Sequence, residues 1–97
     1  MEEQSEYYLN LFITGASPNS VRAINNIKSI CEKYLKGKYV LEIIDVYQIP
    51  EIAQREQIIA LPTLIKKGPG IGRRLVGDMS DTAKVLRGLG IAIKDNE

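Results

Sequence analysis

Two runs of aromatic and β-branched residues, Tyr7-Tyr8-Leu9-Asn10-Leu11-Phe12-Ile13-Thr14 and Tyr39-Val40-Leu41-Glu42-Ile43-Ile44-Asp45-Val46, flank a segment whose apolar residues recur at spacings of three and four. A strand, a helix and a strand in that order leave few folds open. The helix carries the chain back along the sheet, so the two strands run parallel with a right-handed crossover. The first run is almost wholly apolar, which suits a central strand covered on both faces. Ser17 offers an N-cap and Pro18 a first helical residue whose missing N–H would have been unpaired anyway. Val21, Ile24, Ile27, Ile30, Cys31, Tyr34 and Leu35 form the stripe expected to face the core, and Gly37 ends the helix.

The remainder of the chain reads in the same way. Pro50 opens a short helix over 50–57, with Ile49, Ile52 and Ala53 as its weak apolar positions. Runs at 63–67 and 71–76, separated by Gly68-Pro69-Gly70, predict an antiparallel hairpin. Ser80 or Asp81 can cap a last helix over 81–88, in which Ala83, Val85, Leu86 and Leu89 are apolar and Gly88 and Gly90 weaken the end. The order β-α-β-α-β-β-α defines an α/β protein with a mixed four-stranded sheet and helices on both faces. At 97 residues, 44% of them hydrophobic, the chain is expected to form one domain over 1–97 with one modest core, its tails at 1–6 and 90–97 fraying.

Composition removes several functions. Thirteen basic and 12 acidic side chains give a formal charge of +1, so no basic field draws the chain to nucleic acid. With no His, the commonest metal ligand and general base are both missing, and neither a metal nor a cofactor is expected. The lone Cys31 cannot close an internal disulfide, and the acidic start is unlike a secretory signal, which places the chain in the cytoplasm. The longest uncharged stretch, 7–21, is broken by polar residues and glycine, so no membrane span is expected.

The element order resembles the thioredoxin core, and Pro62 stands where thioredoxin-like proteins place a cis-proline. More closely, Gly15-Ala16-Ser17-Pro18-Asn19-Ser20-Val21-Arg22-Ala23, Leu41-Glu42-Ile43-Ile44-Asp45-Val46, Ile59-Ala60-Leu61-Pro62-Thr63-Leu64 and Val76-Gly77-Asp78-Met79-Ser80-Asp81 resemble, in combination and order, the KaiB family of the bacterial circadian clock. The resemblance implies a non-catalytic, protein-binding regulator that docks on the ATPase KaiC, with KaiA or a sensor kinase as further partners. It also implies a second, ground-state fold with a rearranged C-terminal half, and self-assembly into dimers or tetramers. Glu42 and Gln57 depart from the family, since clock-type members tend to carry lysines there. Pro69-Gly70-Ile71 stands in place of three prolines and Gly90 in place of an acidic residue. With Gly88 and Gly90 as hinge candidates, the hairpin register, hence the thioredoxin-like arrangement, is expected to prevail.

Arg22, Glu42, Gln57, Arg73 and Arg74 are the candidate partner contacts. Lys66, Lys67, Arg73 and Arg74 flank one turn and could form a single basic patch or a solvated edge. A dithiol enzyme of this fold needs Cys-x-x-Cys where this chain has Gly15-Ala16-Ser17-Pro18, and Cys31 lies on the buried stripe. An oxidoreductase or a glutathione-linked enzyme using Ser17 and Ser80-Asp81 is the runner-up, and a stress-response adaptor is a third reading. Helix capping accounts for both serines more simply. Asp45 and Asp78 read as structural caps or partner contacts.

Overall fold

A computed structural model describes residues 7–68 and 72–91. The elements are β1 (Tyr7–Ile13), α1 (Pro18–Tyr34), β2 (Tyr39–Asp45), α2 (Pro50–Arg55), β3 (Thr63–Gly68), β4 (Arg73–Val76) and α3 (Thr82–Leu89). The strands form one sheet in the order β2-β1-β3-β4. β1 is central, parallel to β2 and antiparallel to β3, and β3 and β4 form the antiparallel hairpin. Residues 69 and 70 of the turn expected at 68–70, residue 71 of the strand expected after it, the tail at 1–6 and residues 92–97 of the tail expected at 90–97 lie outside the described residues. The ground-state alternative, with helix across 71–76, is not the arrangement found, because β4 is paired with β3 and α3 follows it.

One face of the sheet is sealed by two helices. Leu9, Leu11 and Ile13 of β1 and Leu64 of β3 pack against Ala23, Ile27, Ile30 and Cys31 of α1 and Val85, Leu86 and Leu89 of α3. The opposite face holds a smaller cluster of Phe12, Ile44, Val46 and Ile65, covered by Ile52 and Ala53 of α2 with Ile58 and Leu61 after it. Helices therefore lie on both faces.

Local chemistry sets each helix boundary. The Ser17 hydroxyl accepts from the Ser20 N–H at 3.3 Å and donates to the Ser20 hydroxyl at 2.8 Å, while Ser20 Oγ also accepts from the Thr14 N–H at 3.2 Å. Ser20 is thus fully buried yet satisfied, which ties the start of α1 to the end of β1. This corrects the predicted stripe: Ser20 and Ala23 face inward, whereas Val21 and Tyr34 are exposed. At 100° per residue, moving the inward direction by one position turns the stripe's margins out to solvent. Ala83, one of the apolar positions read in the last helix, is exposed at the first turn of α3.

Asp81, the second of the two expected caps, accepts from the Lys84 N–H at 3.1 Å. Gly90 closes α3 in the left-handed region at φ 80°, where glycine carries no Cβ penalty. Gly88 serves a different need: a Cβ there would stand 2.5 Å from a Leu75 methyl carbon, so its absence lets β4 close onto α3. The Leu61–Pro62 peptide is cis, as the thioredoxin-like resemblance implied.

Candidate functional site

The site is built on the α2 face. α2 is only six residues long, shorter than the predicted 50–57. It begins beside the edge strand β2 and ends over the hairpin. There the Lys67 ammonium meets Glu56 Oε1 at 2.9 Å, and the Arg74 guanidinium donates to the carbonyls of Glu56 and of Gln57, the latter at 3.2 Å. The helix therefore crosses the strands and covers only part of their face. Gln57 falls just beyond it, in the left-handed region at φ 57°. That backbone is uncommon for a non-glycine residue, and it turns the Gln57 carbonyl to Arg74.

The register decides which predicted contacts meet. Glu42 pairs with Asn10, Asn10 with Ile65, and Ile65 with Arg74, so these four residues form one row on the α2 face. Glu42 and Arg74 then stand three strand spacings apart, about 14 Å. Gln57 joins this face through Arg74.

Arg73 does not: it sits opposite Lys66, and both side chains belong to the α1/α3 face. The four basic residues therefore do not make one patch on one face. The pleat sends Lys66 and Arg73 one way and Lys67 and Arg74 the other. Arg22 is elsewhere again, on α1, where its guanidinium donates to Asn19 and to Asp78 Oδ2 at 3.3 Å.

Three residues absent from the candidate contacts frame the face. Tyr47 and Ile49 precede α2 and Ile59 follows it; Tyr47 is 75% and Ile59 97% exposed. Their neighbour Ile58 packs on the small core. The signal available in sequence was the apolar pair Ile58-Ile59, of which a surface loop can bury only one member. Val40 and Tyr8, also exposed, pair across β2 and β1 on the same face beyond the reach of α2.

The corner that would carry redox chemistry is occupied by structural hydrogen bonds. The Ser17 and Asp81 side chains cap α1 and α3. Asp45 Oδ1 accepts from the N–H groups of Gly15 at 3.1 Å and Tyr47 at 2.9 Å, clasping the ends of β1 and β2. Cys31 is buried, and desolvation, with the Glu32 charge beside it, pushes its thiol up to about 12, so it stays protonated at neutral pH. Asp78 is held below the usual carboxylate range by its hydrogen bonds with Ser80 and by Arg22. Among the described residues no His, Cys, Asp and Glu group could hold a metal ion, and no helix is long and apolar enough to cross a membrane.

A mixed sheet, a cis-proline before β3 and a serine-capped helix where a dithiol would stand define a thioredoxin-like protein without a Cys-x-x-Cys pair. The comparisons carry the assignment further. The KaiB domain model matches residues 10–91, and the chain belongs to the KaiB family. The circadian clock oscillator protein KaiB of Prochlorococcus marinus strain NATL2A is 43% identical over 100 residues, covering 100% of this chain and 94% of that protein. In structure, the chain is similar to the N-terminal domain of Synechococcus elongatus SasA, with a TM-score of 0.76 at 21% identity over 100% of this chain and 94% of that one. The Drosophila melanogaster thioredoxin Deadhead gives a TM-score of 0.71 at 19% identity, over 90% of this chain and 81% of that one. These two likenesses confirm the thioredoxin-like fold.

Proposed function

We propose that this chain is a non-catalytic clock regulator, acting in the cytoplasm as a single domain, which docks on a KaiC-like ATPase through the α2 face of its sheet. The observation that carries the reading is the 43% identity to a circadian clock oscillator protein along the whole chain. The surface supports it. Exposed apolar side chains at Tyr47, Ile49 and Ile59 surround a short helix, with Glu42, Gln57 and Arg74 among them. Apolar anchors inside a polar rim are what a docking surface needs. KaiA or a sensor kinase would be further partners, as the family resemblance implies. The second packing of the C-terminal half, and any dimer or tetramer, would be the resting alternative to this docking form.

The test is complex formation with a purified clock-type KaiC, followed by size exclusion and titration. Tyr47→Asp with Ile59→Asp should weaken binding at least about tenfold with an unchanged circular dichroism spectrum. Glu42→Lys with Gln57→Lys should tighten it, by restoring the charge that clock-type members present. Failure to bind any KaiC-type ATPase would overturn the reading and leave an adaptor for a different partner.

A further inference from the structure

The hairpin carries a second surface, which shares Arg74 with the α2 face and adds Arg73 and the outer edge of β4. Among the described residues β4 is the outermost strand and pairs with β3 alone. In an antiparallel pair alternate residues bond inward, so the others turn N–H and C=O groups to the open edge. Charge often blunts such an edge, but here it is of one sign and partly fixed in place. Although the pleat sends them to two faces, Lys66, Lys67, Arg73 and Arg74 all border a groove of about 410 Å³ at the end of the hairpin, in which Glu56 is the single carboxylate among the described residues. The Lys67 ammonium, 2.9 Å away, already engages that carboxylate. Arg74 donates to two carbonyl oxygens, which hold its guanidinium without neutralising it. Arg73 is exposed and has no partner among the described residues. Among the described residues, Arg73 and Arg74 thus bring positive charge that no carboxylate neutralises to the strand that bounds the sheet.

We propose that the open edge of β4 takes an extended acidic segment of a partner protein as a fifth strand, main chain to main chain, with carboxylates on Arg73 and Arg74. Strand addition uses both features at once. The backbone gives directional hydrogen bonds, and side chains alternating across the new strand can reach Arg73 on one face and Arg74 on the other. A folded acidic surface would use the charge alone.

The probe is an eight-residue peptide of repeated Glu-Glu-Val-Val, which as a strand presents carboxylates on both faces, titrated into the isotope-labelled full chain and followed by amide NMR shifts. Shifts should centre on 73–76, and the complex should weaken steeply with added salt. A peptide N-methylated at alternate residues keeps its charge but loses a row of donors, and should bind at least about tenfold more weakly. Arg73→Glu should weaken binding by about tenfold and Arg73→Gln by less. Equal binding of the N-methylated peptide would overturn strand addition, as would shifts centred on β2 or α2. Self-association of the free chain that vanishes in Arg73→Glu would also overturn it, because Glu42 and Asp45 on the β2 edge of a second copy would then be the occupant. Arg73 faces away from α2, so loss of peptide binding with KaiC docking intact separates failure here from failure of the docking reading.

Discussion

The two faces of the sheet are built to different standards. On one, two helices and a contiguous set of buried aliphatic side chains leave the three inward residues of β1, Leu9, Leu11 and Ile13, shielded. On the other, one six-residue helix covers four buried residues and leaves large apolar side chains in water at both of its ends. A face that stabilises the fold needs close packing, whereas a face that meets a partner must keep apolar surface for the complex. The contrast therefore separates the face that carries most of the buried core from the face proposed for docking.

The largest expected effect tests that separation directly. Leu86→Ala, in the sealed core, should cost about 2–5 kcal/mol, whereas Ile52→Ala, half-buried on the inward side of α2, should cost nearer 1 kcal/mol. Urea denaturation of both variants measures this, and equal losses would break the contrast. Ser17→Ala comes next, at about 1 kcal/mol, since it removes the α1 cap and one partner of the buried Ser20 hydroxyl. A cost nearer zero would show that the α1 start is held by packing alone. Ile59→Ser should change stability by no more than about 0.5 kcal/mol, because the side chain is exposed and packs on nothing. A larger loss would move Ile59 into the fold.

The smallest effect concerns acid. Asp78 titrates below its unfolded value, so the stability it contributes is present above about pH 4 and is lost as pH falls through its folded value. The urea midpoint of Asp78→Asn should therefore fall less than that of the wild type between pH 7 and pH 3. Parallel curves would show that the hydrogen bonds of Asp78 with Ser80, and its link to Arg22, contribute nothing. The carboxylate is at the surface, where solvent screens it, so the difference will be slight.

Much of the fold was legible in the chain because its determinants are local. Ser17-Pro18 and Asp81 mark helix starts by the donors they satisfy, and the apolar runs mark strands by their period. Cys31 was placed in the core on the same grounds. The margins of α1 were not legible. Val21 and Tyr34 fit a helical stripe as well as Ser20 and Ala23 do, and only the hydrogen bonds from Thr14 and Ser17 show why a serine takes the inward place. The candidate site was legible in part: Gln57 and Arg74 meet, and Glu42 shares their row, while Arg73 and Arg22 lie elsewhere.

By itself, then, the order of residues determined the element types, their sequence along the chain, the hairpin and the lack of a reactive cysteine pair, since each depends on neighbours a few positions away. Tertiary structure alone decided three things. It chose which of Ile58 and Ile59 meets water, divided four adjacent cations between two faces, and laid α2 across the strands so that part of the sheet stays open. Those outcomes follow from strand register and from contacts between residues far apart in the chain. A shift of one residue in pairing would have reversed every face, and no local pattern records that choice.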